Sequence, residues 1–257
     1  MDAGTVDRSF GATSTWNTPT PAHPVLDPGS GPITVRLARA DRAYALLYEF
    51  GRPISHATAA DHRVTVRCTI PWGVCDPQKR RVRIPTIARP SSGSDGVMVV
   101  IEHSARTVCD FWQMRRTAGS WTARWGTCAS LDGDGSGPSG GATGAGVNGL
   151  AGVVRTDEIP ASHRPDCIPE GGRMRLDPSI DVAALPGITR SERAVAVALQ
   201  TYAAYVRDNG AAPMAFVFEK PTSGTDPYPA AGFRWDYDNM PHIPWLRLRV
   251  LRTWSGR

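Results

Sequence analysis

The sequence has almost no lysine, which occurs only at Lys79 and Lys220, although the formal net charge is +5. Arginine supplies nearly all of this charge, and such a composition is typical of a GC-rich genome. The isoelectric point of about 9.2 is therefore interpreted first as codon bias. The alternative interpretation of the positive charge is an anionic partner such as an acidic polysaccharide. The clusters QKRRVR (residues 78–83) and RLRVLR (247–252) would contribute to the attraction of such a partner. The second cluster alternates arginine with leucine and valine, which predicts an amphipathic strand.

Long apolar runs and targeting signals are also missing. No run approaches the roughly 18 residues that a membrane-spanning helix needs, so no membrane span is predicted. The N-terminal residues MDAGTVDRSF lack the basic and apolar regions of a signal peptide, so the chain is either cytoplasmic or the mature form of an exported protein. No helix-turn-helix, RRM or zinc-finger pattern is present, which argues against a nucleic-acid partner.

The five cysteines show neither a CxxC motif nor a Cys/His pair at the spacing of a zinc site. Cys68 and Cys75 bracket a loop with proline and glycine, and Cys109 and Cys128 lie on two predicted strands joined by RRTAGS. We therefore predict the disulfides Cys68–Cys75 and Cys109–Cys128. Disulfides persist in oxidising compartments, so the protein is predicted to be secreted. Cys167 has no assigned partner.

Short segments with the length and the β-branched or aromatic content of strands recur along the chain. They are ITVRLA, AYALLYEF, RVTVRCT, GVMVVIE, TVCDFWQMR, SWTARWG, AGVVRT, RMRLD, AFVFE and LRLRVLR. This pattern predicts an all-β fold, an antiparallel β-sandwich of the jelly-roll or concanavalin-like type. The proline-rich residues 1–32 are predicted to run extended, ahead of a single sandwich domain over residues 33–257.

One α-helix is predicted near residues 190–208, in the segment TRSERAVAVALQTYAAYVRDNG. Thr189 and Glu192 form a capping-box pattern at its start. Apolar residues from Val195 to Val206 then recur at the helical period, and an Asn-Gly pair ends the pattern. The apolar face predicts that this helix packs on the sandwich.

The segment SLDGDGSGPSGGATGAGVNGLAG, residues 130–152, is unusually rich in glycine. It matches G-x-G-x-x-G twice, but a predicted strand follows the second match and no GK[ST] is present, which argues against a nucleotide site. Asp132, Asp134 and Ser136 follow the first half of an EF-hand loop, so calcium is the candidate cofactor. A hairpin with hydrated carboxylates is the alternative, because Thr143 replaces the final glutamate of that motif and no helix flanks the loop.

Polar and aromatic residues around the predicted strands suit a polysaccharide, because aromatic rings stack on sugars while Asp, Gln and Arg bond to hydroxyls or uronates. Strand alternation places Phe111, Gln113 and Arg115 on one face, and Trp112 and Met114 on the other. With the second face in the core, Gln113 and Arg115 would face a ligand. We select as catalytic candidates Asp95, Gln113 and Glu158, and as substrate-binding candidates Arg115, Arg155, Thr143, Trp235, Tyr237 and His242.

Two enzyme mechanisms and two other functions stay open. A glycoside hydrolase needs two carboxylates, for which Asp95, Glu102 and Glu158 are available. A lyase on a uronate-containing glycan needs carboxylate neutralisation and a base, a role for which His103 or His242 is available beside Gln113, Arg115 and Tyr237. The alternatives are a non-catalytic polysaccharide-binding module and a cell-surface structural or interaction protein.

The segments ARPSSGSDGVMVV, DFWQ, WTARWG, LDGDG, ATGAG, LAGVVR, CIPEGGRMRLDPSID and ALQTYAAYVRDNG together resemble a family of secreted bacterial β-sandwich proteins of unassigned function. The similarity covers most of the chain. It implies export and a single domain, but it brings no catalytic assignment. The resemblance implies that six of the residues in this chain are at recurrent motif positions of the family. They are Asp95, Gln113, Asp132, Thr143, Arg155 and Glu158.

The chain departs from this family pattern between VVRTDEI and CIPEG. Family members carry there a stretch with His-Ala-Leu and a cysteine, whereas RTDEIPASHRPDCIPEG runs straight across in this chain. The unassigned Cys167 fits the departure, because its usual partner in the family would lie in the absent stretch. The residue that pairs with Cys167 is therefore left open.

Overall fold

Short strands form most of the regular structure in the computed structural model, which describes residues 10–14, 16–39, 43–133, 168, 172–206 and 214–252. The strands are Tyr44–Leu46 (β1), Arg52–Ala57 (β2), Arg63–Val64 (β3), Val66–Cys68 (β4), Val82–Arg83 (β5), Met98–Glu102 (β6), Thr107–Trp112 (β7), Arg115–Thr117 (β8), Ser120–Ala123 (β9), Trp125–Ser130 (β10), Arg173–Leu176 (β11), Ala204–Tyr205 (β12), Ala215–Val217 (β13), Glu219–Lys220 (β14), Asp238–Asn239 (β15) and Leu248–Leu251 (β16). The α-helices are Ser30–Ala38 (α1), Asp76–Lys79 (α2), Arg190–Thr201 (α3) and Pro227–Ala231 (α4), and single 3-10 turns span His103–Ala105, Val182–Ala184 and Trp245–Arg247. The predicted mainly-β character is confirmed.

The largest sheet has five strands in the order β10-β7-β6-β2-β14. Four smaller sheets have the orders β13-β1-β15, β12-β11-β16, β4-β9-β8 and β3-β5. Strand β2 pairs in parallel with both β6 and β14, and β1 with β13 and β4 with β9 are parallel as well. The described strands are therefore mixed, which differs from the purely antiparallel sheets predicted. Turn signals identify only neighbours joined by short hairpins, whereas residues 58–97 separate β2 from β6.

Two apolar cores position the surfaces described below. In the first, Met98, Val100 and Phe111 of the five-stranded sheet share one cluster with Val66 and Trp121 of the β4-β9-β8 sheet. This is sheet-on-sheet packing. The second core lies between α1, α3 and the strands of the two other three-stranded sheets, and its fully buried members include Leu47, Leu176, Met240, Ile243 and Leu248.

The segment ITVRLA is helical, so its prediction as a strand is wrong. It forms most of α1, which also crosses the predicted boundary at residue 32. Pro32 lies in the first turn, where a missing N–H breaks no helical hydrogen bond. The helix is held by tertiary contacts: Ser30 Oγ accepts from the Val250 N–H (2.9 Å) and Thr34 Oγ1 donates to the Leu248 carbonyl (3.2 Å).

Helix α3 begins as predicted but ends earlier. The Thr189 hydroxyl accepts from the Glu192 N–H (3.2 Å) and the Glu192 carboxylate accepts from the Thr189 N–H (2.9 Å), which confirms the capping box. The helix stops at Thr201 rather than near residue 208. Ala203 has a φ of 63°, and the chain then forms β12 against β11. The side chain of Arg175 bonds to the Gln200 carbonyl (2.7 Å), satisfying an acceptor of the last turn.

Candidate functional site

The structure brings Asp95 and Gln113 together through the backbone. The Gln113 N–H donates to the Asp95 carbonyl and the Met114 N–H to the Gly96 carbonyl, both at 2.8 Å. Both candidate side chains are partly exposed. The turn that carries Asp95 also contacts residue 49, because the Gly93 N–H donates to the Glu49 carbonyl (2.8 Å).

The predicted strand alternation around Gln113 is wrong. Phe111 and Met114 are both fully buried in the same core, although alternation assigned them to opposite faces. Gln113 has a φ of 48°, a left-handed conformation that interrupts the strand between Trp112 and Arg115 and resets the direction of the following side chains. Arg115 is exposed on the edge strand β8.

Two further candidates, Trp235 and Tyr237, lie near the Glu49 segment. The Tyr237 hydroxyl donates to the Glu49 carboxylate, and burial together with this bond raises the pKa of the Tyr237 phenol. The Trp235 ring is half exposed, with the Arg234 guanidinium carbon 4.3 Å from its centroid. Tyr237 therefore bonds to Glu49, whose carbonyl contacts the turn that carries Asp95, whereas the Trp235 ring is in contact with Arg234.

The candidate His242 is tied to the start of α3. The Glu192 carboxylate accepts from the His242 N–H (2.9 Å) and lies 2.8 Å from His242 Nδ1. Burial of Glu192 acts to raise its pKa, but the hydrogen bonds from Thr189 and His242 outweigh burial and lower the pKa of this carboxyl. His242 is thus placed as a partner of a buried cap.

Several residues named in the predictions lie outside the described residues, so what is predicted of them, including the convergence of Glu158 with Asp95 and Gln113, stays a prediction. They are Glu158, Arg155, Thr143, Asp134, Ser136 and Cys167. Of the predicted calcium ligands only Asp132 is described, and one oxygen of its carboxylate accepts from Arg106 Nε (3.0 Å) and Nη2 (2.8 Å). Within the described ranges no three His, Cys, Asp or Glu side chains group as a metal site.

A strongly basic cleft of about 480 Å³ opens between α2, β5 and the ends of β6 and β7. Its charged lining consists of Arg63, Lys79, Arg80, Arg81, Arg83, Asp76 and Glu102. Most of the QKRRVR cluster therefore lines one concavity. In the second cluster, Arg247 (2.7 Å) and Arg249 (3.1 Å) both bond to Asp177. The predicted strand is present as β16, from Leu248 to Leu251, and Arg247 precedes it in a 3-10 turn.

Glu102 holds two of the arginines that line the cleft. Its side chain is 9% exposed, and its Oε1 accepts from Arg63 Nη2 (2.7 Å) and Arg83 Nε (3.0 Å). Arg83 Nη1 also donates to the Asp61 carbonyl (2.6 Å), which fixes the guanidinium. Since one carboxylate orients two arginines, the cleft keeps an excess of positive charge.

The other charged side chains of the lining differ in whether they form hydrogen bonds within the chain. The Asp76 carboxylate accepts from Thr127 Oγ1 (2.9 Å) and the Cys128 N–H (3.3 Å), so it anchors α2 to the edge strand β10. The Lys79 and Arg80 side chains are exposed and form no hydrogen bond to any part of the chain that the structure describes. These two cations are therefore available to an external anion.

The predicted disulfides are both present as Cys68–Cys75 and Cys109–Cys128. The second bridges β7 and β10, and Cys109 lines the cleft. The sequence did not predict that His56 Nδ1 lies 2.8 Å from His103 Nε2. His56 is on β2 and His103 begins the 3-10 turn that follows β6, and only the pairing of β2 with β6 brings the two rings together.

Comparison with protein-family models, with curated proteins and with solved structures finds no match to this chain. Among the helices of the described residues, none has both the length and the apolar character to cross a membrane.

Proposed function

We propose that this protein is a secreted, carbohydrate-active protein whose ligand is an acidic polysaccharide bound in the basic cleft. The observation that supports this most is the presence of five cationic side chains around one concavity, with Lys79 and Arg80 exposed at its surface. The two disulfides fit an oxidising compartment.

The chemistry of the lining suits carboxylate groups on sugar rings. A guanidinium presents planar paired donors that match a carboxylate, and an ammonium adds a mobile point charge. The cleft volume of about 480 Å³ falls within the range of small-ligand pockets, which suits a short stretch of a glycan chain. Arg63 and Arg83 are already held by Glu102, so they would meet a ligand with little loss of side-chain entropy.

Degradation of the polysaccharide is the enzymatic form of this proposal, as a hydrolase or a lyase. The catalytic candidates are Asp95 and Gln113, with Glu158 as the predicted third member. Asp95 and Gln113 do not line the basic cleft, so degradation requires a glycan chain that extends from the cleft to these two residues. A non-catalytic binding module, or a cell-surface interaction protein, is the alternative.

Binding to polygalacturonate, alginate and hyaluronan, with neutral xylan as reference, tests the ligand class. We expect binding to the acidic polymers that weakens as salt rises, because exposed charges are screened. The double variant Lys79→Ala/Arg80→Ala should bind about 5- to 30-fold more weakly, since it removes two charge-assisted contacts. Arg193→Ala, at an exposed arginine on α3, is the matched control and should bind as the wild type does.

Release of reducing ends or of unsaturated uronates from the same polymers distinguishes enzyme from binding module. Products that disappear in Asp95→Ala and Gln113→Ala, with binding retained, would support the degrading enzyme. Retention on an acidic polymer without products would favour the binding module. Absence of any affinity for all four polymers would refute the carbohydrate proposal.

A further inference from the structure

An exposed tryptophan is held on a loop that is closed at both ends. Trp72 lies between Cys68 and Cys75, which form a disulfide. The Thr69 N–H bonds to the Ala123 carbonyl and the Ile70 N–H to the Arg124 carbonyl, each at 3.0 Å, so the loop begins against the adjacent strand. The Trp72 side chain is nevertheless 62% exposed. Tryptophan is enriched at binding surfaces, and aromatic side chains line ligand sites, so an exposed ring held in a fixed place is a candidate contact for a ligand.

The Trp72 ring is not free to turn, because it stacks on Trp112. The ring centroids lie 5.1 Å apart and the planes differ by 13°. Arg124 is positioned beside the stack, with its guanidinium carbon 5.5 Å from the Trp112 centroid and its N–H bonded to the Trp112 carbonyl (3.0 Å). Since one face of the Trp72 indole is covered and the side chain is largely exposed, its other face is open to solvent.

This pair, Trp72 and Trp112, is named the indole platform. The side chains of Trp112 and of Cys109, which lines the cleft, point to opposite sides of β7, because they are three positions apart and side chains alternate along a strand. The loop that carries Trp72 leads directly into α2, whose residues Asp76 and Lys79 line the cleft. The residue after Trp112 is Gln113, whose backbone bonds to Asp95. The platform is therefore continuous with the turn that presents a planar amide and a carboxylate.

We propose that the indole platform is a sugar-binding subsite, on which one pyranose ring of the polysaccharide stacks against Trp72. A flat, rigid aromatic face suits the C–H face of a pyranose, and the neighbouring Arg124, Gln113 and Asp95 are groups that bond to hydroxyls or to a uronate. One open indole face is far smaller than the roughly 800 Å² per partner of a stable protein interface, which favours a small ring over a protein. The inference rests on the proposed function, since it takes a glycan as ligand.

Tryptophan fluorescence during titration with oligosaccharides of polygalacturonate, alginate, hyaluronan and xylan tests the platform. The wild type is compared with Trp72→Ala, Trp72→Phe and Val74→Ala, the last removing an exposed apolar side chain from the same loop. We expect Trp72→Ala to bind about five- to tenfold more weakly and to lose most of the fluorescence change, with Trp72→Phe intermediate and Val74→Ala unchanged. Thermal unfolding of each variant checks that the fold is retained.

The outcomes separate the two proposals. If the wild type binds an oligosaccharide and Trp72→Ala and Trp72→Phe bind it equally well, the platform is refuted while the carbohydrate proposal stands. If the wild type binds none of the oligosaccharides or the parent polymers, the carbohydrate proposal fails and the platform fails with it. A weakening that Val74→Ala shares would also overturn the platform, because loop packing rather than ring stacking would explain it. If oligosaccharide binding weakens in the Trp72 variants but not in Lys79→Ala/Arg80→Ala, the result supports the platform as a subsite separate from the cleft.

Discussion

The buried carboxylate of Glu192 offers the sharpest test of the structural account. It is 2% exposed and accepts hydrogen bonds from the Thr189 N–H (2.9 Å) and the His242 N–H (2.9 Å), with His242 Nδ1 at 2.8 Å. In Glu192→Gln the shape is kept, but one acceptor oxygen becomes an N–H₂ group that faces donors. Each hydrogen bond to a charged group contributes about 1.5–3 kcal/mol, and the bonds share one group, so we expect a loss of about 2–4 kcal/mol.

Denaturant and thermal unfolding at pH 7 measure this loss. For a chain of this size about 1 kcal/mol corresponds to roughly 2 °C, so the melting temperature should fall by about 4–8 °C. Glu219→Gln, at an exposed residue, is the matched control and should change the free energy of unfolding by less than about 0.5 kcal/mol. An unchanged denaturation midpoint for Glu192→Gln would refute the assigned network.

The same variant has a pH signature. The pKa of Glu192 is lowered on folding from its ordinary value of 4.5, so the unfolded state binds the proton more readily than the folded state. The stability that the carboxylate contributes is therefore fully present above that value and is lost as pH falls through the folded-state pKa. The difference between wild type and Glu192→Gln should shrink in acid, and a difference independent of pH would contradict the reasoning.

Three other predictions concern stability. Cys109→Ser/Cys128→Ser should lower the free energy of unfolding by about 2–4 kcal/mol, because the bridge closes a loop with a sequence separation of 19 residues; an unchanged denaturation midpoint would count against a structural bridge. Asp177→Asn should lower the free energy of unfolding at pH 7 and lower it less in acid, because hydrogen bonds from Arg247 and Ser179 hold the pKa of Asp177 far below its usual range. Unfolding in guanidinium chloride at several pH values measures the free energy of unfolding. Burial raises the pKa of Tyr48 and of Tyr228 to about 12, so ultraviolet titration should leave both phenols protonated at about pH 11 in the folded protein, and their stabilising effect should be lost as pH rises further. Full ionisation of all six tyrosines by that pH would contradict the described contacts.

Features whose partners are close in sequence were predictable. The capping box joins Thr189 and Glu192 within one turn, and Cys109 and Cys128 lie on strands that pair directly. The alternation in RLRVLR likewise predicts most of the burial along β16, where Leu248 and Val250 are buried and Arg249 is partly exposed, although Leu251 is buried as well. In each case the physical cause is local, so the composition and spacing of a few residues suffice.

The wrong prediction of ITVRLA as a strand shows that local sequence preference does not decide the conformation of a segment held by distant residues. The β-branched residues of ITVRLA are typical of a strand, yet Ser30 and Thr34 form hydrogen bonds with β16, at sequence separations of 220 and 214 residues. Burial of Ile33 in the core that contains β16 outweighs the weak local preference. The left-handed backbone of Gln113 is a similar case, because it depends on bonds to the Asp95 turn that no pattern on its own strand reveals.

The sequence by itself determined the strand-rich composition, the cysteine pairs, the start of α3 and the basic run QKRRVR, because each depends on neighbouring residues or a short connection. Tertiary structure alone decided that this run lines a cleft, since Glu102 orients Arg63 across 39 positions and Arg83 across 19. It also decided that Trp72 stacks on Trp112 and presents its other face to solvent. The physical reason is that charge and apolarity are properties of residues, whereas a binding surface depends on which distant residues the sheets bring into contact.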